Sequence, residues 1–245
     1  MDTVEKQKQK NGSSLMAKTH GFKIWIYHIL TDRIHCDDIQ IDDILTFDDG
    51  HYSVYTNSHY LDKYSNRKII FVTPNFIGSS SRKDRIYFPK HPQEYMYDFF
   101  VNGKRDQFMT IDELQHLVSE KNFEIGMHSF HHNVVYEFKY QKCVTDTWKT
   151  YNIPEKYKKM MHPVSALSSQ GVVIENGNIR KRTLEVYMQY VREDTEKCTE
   201  RYKKYYGHIP NIYAFPFNEH SEFLKSVLAT YGVAHFFGEE RKEGS

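Results

Sequence analysis

Two short stretches of the chain carry side chains that could do chemistry together. The first is Thr46-Phe47-Asp48-Asp49-Gly50, two adjacent carboxylates placed where an apolar run stops and a glycine lets the backbone turn. Neighbouring carboxylates repel when both are charged. If both face one cleft, a divalent cation relieves that repulsion, with one oxygen as ligand and the other carboxylate free to take a proton. An Asp-Gly pair is also ordinary hairpin-turn material, so this motif alone does not decide.

The second stretch is His128-Ser129-Phe130-His131-His132. Histidines at i and i+4 share a face if the segment forms a helical turn, so His128 and His132 could grip one metal through neutral imidazole; His128 with His131 is the i, i+3 alternative. Catalytic zinc takes three protein ligands and leaves the fourth position to water, and two histidines plus a carboxylate are such a set, which Asp49 could complete. Taken alone, the segment also reads as a histidine-rich exposed loop.

The elements around these residues are those of an alternating α/β chain. KIWIYH (23–28), DILTF (43–47), KIIFV (68–72) and FEIGM (123–127) are short apolar runs with polar flanks, as buried strands show. Both chemical clusters directly follow such a run. A helix is predicted over 111–121, where Thr110 and Glu113 have capping-box spacing and Leu114, Leu117 and Val118 share a face. A longer one over 183–206 ends at Gly207, the strand NIYAFPF follows, and a last helix over 220–231 precedes VAHFFG. Repeated strand–helix alternation predicts parallel β/α units with ligand sites at the carboxyl ends of the strands. Residues 133–182 are polar and read as an insertion, with one hairpin where GVVIE and NIRKR flank Asn176-Gly177. Residues 1–20 read as a flexible polar leader ahead of a single domain over 21–245.

Bulk composition excludes more than it assigns. With 33 basic and 32 acidic residues the net charge is +1, so no field gathers nucleic acid or acidic lipid over long range. The three cysteines, Cys36, Cys143 and Cys198, are widely spaced and form no C-x-x-C pair, which argues against a disulfide framework or a thiolate zinc site. No run of about 18 apolar residues occurs, and the N-terminus lacks the apolar core of a signal peptide, so a soluble, cytoplasmic protein without a membrane span is expected.

Taken together, three blocks resemble the polysaccharide deacetylase family (NodB homology, carbohydrate esterase family 4). ILTFDDGHYSVYTNSHYLDKYSNRKIIFVTPNFI is similar to its opening block, in which TFDDG ends one strand and an FV-x-P strand follows. MTIDELQHLVSEKNFEIGMHSFHH resembles the second, a helix leading into EIG-x-H-[ST]-x-x-H, and YVREDTEKCTERYKKYYGHIPNIYAFPFNEHSEFLKSVLATYGV the third. The Tyr27-His28 pair looks like the start common in one branch, and Ala214 to Phe217 match the A-x-P-[FY] variant.

The resemblance implies a distorted (β/α) barrel that removes acetyl groups from N-acetylated amino sugars or glycans. It makes Asp48 the general base and Asp49, His128 and His132 the ligands of one divalent metal, leaving His131 out. Zinc suits that set, and cobalt, nickel or iron fit it too. Pro216 and Phe217 match the pair lining the substrate groove, with the Phe217 N–H at the oxyanion; His51, Tyr52 and Asn218 are substrate-contact candidates by adjacency. The family's C-terminal histidine, the general acid, has no clear match: His235 and His162 are the candidates. Two other readings keep part of this picture, a hydrolase of another linear amide such as a formylated amino sugar, and a glycan-binding domain without turnover.

Overall fold

Every apolar run singled out above is a strand. The computed structural model describes residues 22–31, 39–78, 90–143, 145–238 and 241–243; the leader and Cys36 lie outside them. Seven parallel strands, β1 (Ile24–Tyr27), β2 (Ile44–Phe47), β3 (Arg67–Val72), β4 (Phe123–Met127), β9 (Ile212–Ala214), β10 (His235–Phe237) and β11 (Arg241–Glu243), stand in the order β10-β9-β4-β3-β2-β1-β11. The two edge strands, β10 and β11, are close in sequence, and the connection between them reaches at most about 14 Å. The sheet is therefore curled back on itself, with β10 against β9 on one side and β11 against β1 on the other.

Alternation along the strands sorts side chains to the two faces of this curl. Ile24, Ile69, Phe71, Ile212, Ala214 and Phe237 form a small cluster of their own, while Tyr27, Leu45, Phe47, Ile70, Val72, Met127 and Tyr213 join the larger core under the helices. Gly126 shows how tight the small cluster is: a Cβ there would overlap the Phe71 ring and come within 3.2 Å of Ile212 Cγ1. Gly126→Ala is expected to lower stability by about 1–3 kcal/mol, since the buried ring has no space to yield. A urea-denaturation midpoint equal to wild type would contradict this packing.

The connecting helices are α1 (Tyr52–Thr56), α2 (Pro92–Asn102), α3 (Ile111–Glu120), α4 (Leu184–Tyr206) and α5 (Glu222–Thr230). The capping box of α3 is formed in both directions: Thr110 Oγ1 accepts from Glu113 N at 3.3 Å, and Glu113 Oε2 accepts from Thr110 N at 2.8 Å. In α4 the Tyr202 hydroxyl lies 2.8 Å from the Val72 carbonyl and 2.7 Å from that of Gly126, fastening the helix to the ends of β3 and β4. Among the described residues no helix is long and apolar enough to cross a membrane.

Residues 134–181 build a second sheet of antiparallel strands, β5 (Val134–Phe138), β6 (Met161–Ser165), β7 (Val172–Glu175) and β8 (Asn178–Lys181), in the order β6-β5-β7-β8. The β7–β8 hairpin turns at Asn176 and Gly177, both at positive φ (51° and 76°), as an Asn-Gly two-residue turn requires. Strands β5 and β6 and helix α2 escaped the sequence reading. Exposed apolar residues such as Phe138 and Tyr97 blur their periodicity.

Candidate active site

Parallel strands bring their carboxyl ends level, and the chemical residues sit on those ends. Register pairs Tyr27 with Phe47, Phe47 with Ile70, and Val72 with Met127. The residues just beyond, His28, Asp48, Asp49 and His128, therefore meet in one place, and all line a cavity of about 440 Å³. His132, Phe217, Asn218, His91, Trp148 and Lys149 complete much of its wall.

Asp49, His128 and His132 are buried and converge. Asp49 Oδ1 stands 3.5 Å from His128 Nε2 and 3.6 Å from His132 Nε2, and one ligand atom from each residue lies within 4.8 Å of the others. Metal–ligand bonds of about 2.0–2.2 Å at tetrahedral angles separate donors by about 3.3–3.6 Å. The two measured separations fall in that range. Asp49 Oδ1 is buried without a hydrogen-bond partner, which a bound cation would supply. The residues present fit a divalent metal.

Neighbouring groups orient the ligand atoms toward it. Asp49 Oδ2 accepts from the Tyr95 hydroxyl at 3.2 Å, so Oδ1 alone points at the histidines. His128 Nδ1 lies 2.9 Å from the Ala214 carbonyl, which can only accept; Nδ1 therefore carries the proton and Nε2 presents its lone pair. Burial, then the neighbouring His128, hold His132 well below the usual imidazole value and hence neutral.

The histidine segment is not the helical turn that i, i+4 spacing assumed. Ser129 and His132 adopt positive φ (64° and 56°), folding the backbone so that His128 and His132 still face one point with rings 5.0 Å apart. Asp194, buried on α4, secures this loop by accepting from Phe130 N at 2.9 Å and His131 N at 3.0 Å, and Ser129 Oγ accepts from His132 N at 3.0 Å. The loop's shape thus depends on a carboxylate 62 residues away from His132 in sequence. Asp194→Ala removes the acceptor of two partly buried N–H groups, at about 1 kcal/mol each, and is expected to weaken metal binding about 10–100-fold with Asp49, His128 and His132 intact. Metal titration of the variant checks this; wild-type affinity would show that the loop holds its shape without Asp194.

Burial raises the Asp49 carboxyl to about 6, with Asp48 adding to the rise and His28 and Tyr95 opposing it; burial likewise raises Asp194 to about 6. A carboxyl whose folded value exceeds its unfolded one, about 3.9, contributes stability that is fully present below the unfolded value and lost as pH rises through the folded one. Metal binding needs the ionised Asp49, so below about pH 6 protons compete with the metal. The rise in Tm on adding a divalent metal is expected to be large at pH 7.5 and much smaller at pH 5. Equal shifts at both would remove Asp49 from the ligand set.

Other sequence-predicted residues divide. Phe217 and Asn218 line the cavity, both at φ 60° just after β9, and the Phe217 ring meets His132 edge-on at 4.7 Å. Pro216 is buried and sets the turn without lining the cavity. His51 and Tyr52 are corrected from substrate contacts to supports: Ser53 N donates to His51 Nδ1 at 3.1 Å, capping α1, its ring packs on Tyr95 at 4.5 Å, and Tyr52 is buried in the helix-side core. Neither general-acid candidate lines the cavity. His235 is exposed at the start of β10, the opposite end of the strand from the site, and His162 lies in β6 opposite Glu137. The sequence reading missed Tyr95, Asp194, Trp148, Lys149 and His91; Lys149 Nζ lies 3.7 Å from the Phe217 ring centroid, with burial lowering its pKa.

No protein-family model and no curated relative matches the chain by sequence. Solved structures do match by shape. A de-N-acetylase from Aggregatibacter actinomycetemcomitans superposes over 89% of this chain and 87% of its own, at 13% identity and a TM-score of 0.58. The BpsB deacetylase domain from Bordetella bronchiseptica does so over 83% and 70%, at 18% identity and a TM-score of 0.53. The chain thus shares the fold of these two deacetylases, a distorted (β/α) barrel whose parallel sheet curls back on itself.

Proposed function

We propose that this protein is a metal-dependent carbohydrate N-deacetylase that hydrolyses the acetamido group of an N-acetylated amino sugar or glycan. The observation that carries the reading is the buried Asp49–His128–His132 cluster with Asp48 beside it, at the carboxyl ends of a barrel shared with two deacetylases. A divalent metal held by those three residues supplies Lewis acidity, polarising the amide carbonyl and lowering the pKa of water. Zinc is the first choice for this donor set.

The chain's own residues account for the rest. Asp48 lines the cavity outside the ligand set and takes a proton from the attacking water. The Phe217 N–H, in its left-handed turn, donates to the carbonyl oxygen as negative charge gathers there. When the C–N bond breaks, the departing nitrogen takes a proton from His28, which follows β1 and lines the same cavity as Asp49 and His132. Trp148 and Phe217 offer aromatic surface to a sugar ring.

The test is to incubate zinc-loaded protein with N-acetylglucosamine oligomers and their N-formyl counterparts, measuring acetate, formate and free amine. Acetate and amine released in equal amounts support the reading. Formate release with no acetate would reassign the substrate to formylated sugars. Neither product from a protein that carries metal would overturn hydrolysis itself.

A further inference from the structure

Behind the wall made by Trp148 lies a second cavity, of about 350 Å³, enclosed by β5, β7 and the first turns of α4. Trp148 lines both cavities, and adjacent residues face apart: His132 toward the candidate metal site, Asn133 into the second cavity. Its walls are mostly apolar and aromatic, including Phe100, Tyr151 and Tyr190, with few polar groups. Binding sites for small molecules have this size and this make-up.

One polar group stands out. Arg182 is only 5% exposed, and its Nη1 donates to the carbonyls of Ala166 at 3.0 Å and Ser169 at 3.5 Å. Its Nη2 is buried without a partner, and among the described residues no carboxylate lies within ion-pair distance of the guanidinium. Tyr190 and Tyr187 stack on it at 4.9 and 5.5 Å, and the Tyr190 hydroxyl lies beside Asn133. A guanidinium stays charged in proteins, and a buried charge with neither counter-ion nor full hydrogen bonding is strongly unfavourable. An anion reaching Nη2 would remove that deficit.

We infer that this second cavity binds a small organic monocarboxylate, its carboxylate accepting from Arg182 Nη2 and its ring or chain lying on the aromatic walls. A single buried cation with one unpartnered nitrogen matches one negative charge; phosphate groups need several donors. Glu175, on the rim, is paired with Arg180 at 2.9 Å and leaves the Arg182 charge uncompensated. The ring can be that of an aromatic acid or of a sugar acid, since both stack on aromatic side chains.

Titration calorimetry with benzoate and with D-glucuronate, against benzamide and D-glucose as uncharged counterparts, tests this on the zinc-loaded protein and again after chelation. At least one acid is expected to bind with one-to-one stoichiometry in both metal states, and its uncharged counterpart not to bind. The tighter acid identifies the ring class. Arg182→Gln should weaken it about tenfold or more, and Val173→Phe, filling the cavity from β7, should abolish it. Should Arg182→Gln fail to fold, Val173→Phe decides: lost binding supports the site and retained binding overturns it. Absence of binding by either acid, binding only when zinc is present, or wild-type affinity in Arg182→Gln would also overturn it. Because binding is read without turnover, failure here leaves the deacetylase reading untouched.

Discussion

Asp48→Asn is expected to keep one metal ion per chain and to lose acetate release by about 10²–10⁴-fold, the usual contribution of a positioned general base. Asp48 is 3% exposed, lines the cavity, and has its backbone fixed by the bond from its N–H to the Tyr27 carbonyl at 2.8 Å. Asparagine preserves the shape and one acceptor oxygen but cannot take a proton at neutral pH. The substitution therefore separates base from ligand. Measuring kcat alongside metal content checks it: activity within a few-fold of wild type would place the base elsewhere, and loss of the metal would make Asp48 a ligand.

His132→Ala is expected to weaken metal binding by more than about 100-fold, beyond what losing an outer-shell partner does, and to abolish activity with it. Two donors remain, and one of them, Asp49 Oδ1, is left facing a single imidazole. The change also empties space between Phe76, Trp148 and Phe217, whose rings pack on His132 at 5.8, 6.0 and 4.7 Å, so a lower Tm accompanies it. Equilibrium dialysis against zinc gives the affinity. Retention of a full equivalent would leave His131, the i, i+3 alternative, to be examined as the ligand.

The strand ends were legible because each motif follows an apolar run: LTF leads into Asp48 and Asp49, EIGM into His128. Local spacing could also announce the α3 capping box, the Asn176-Gly177 turn and the glycine that ends α4. What it could not announce is how the ligands are held. Tyr95 and Asp194 act through hydrogen bonds to Asp49 and to the loop before His132, 46 and 62 residues away in sequence, and nothing in their own neighbourhoods marks them. The left-handed backbone at Ser129 and His132 defeated the helical-turn argument in the same way, since its support comes from α4. Adjacency to a motif proved a poor guide to substrate contact: His51 and Tyr52 follow the Asp pair directly yet turn inward to cap α1 and fill the core. Trp148 and Lys149 reach the cavity from a polar stretch whose pattern gave no sign of it.

The most direct test of the central claim is to titrate zinc into chelated protein while measuring acetate release from an N-acetylglucosamine oligomer. Negligible release without metal, a linear rise, and a break at about one equivalent per chain are expected, with no recovery in Asp49→Ala. Full activity after exhaustive chelation, or equal rescue of Asp49→Ala, would contradict it.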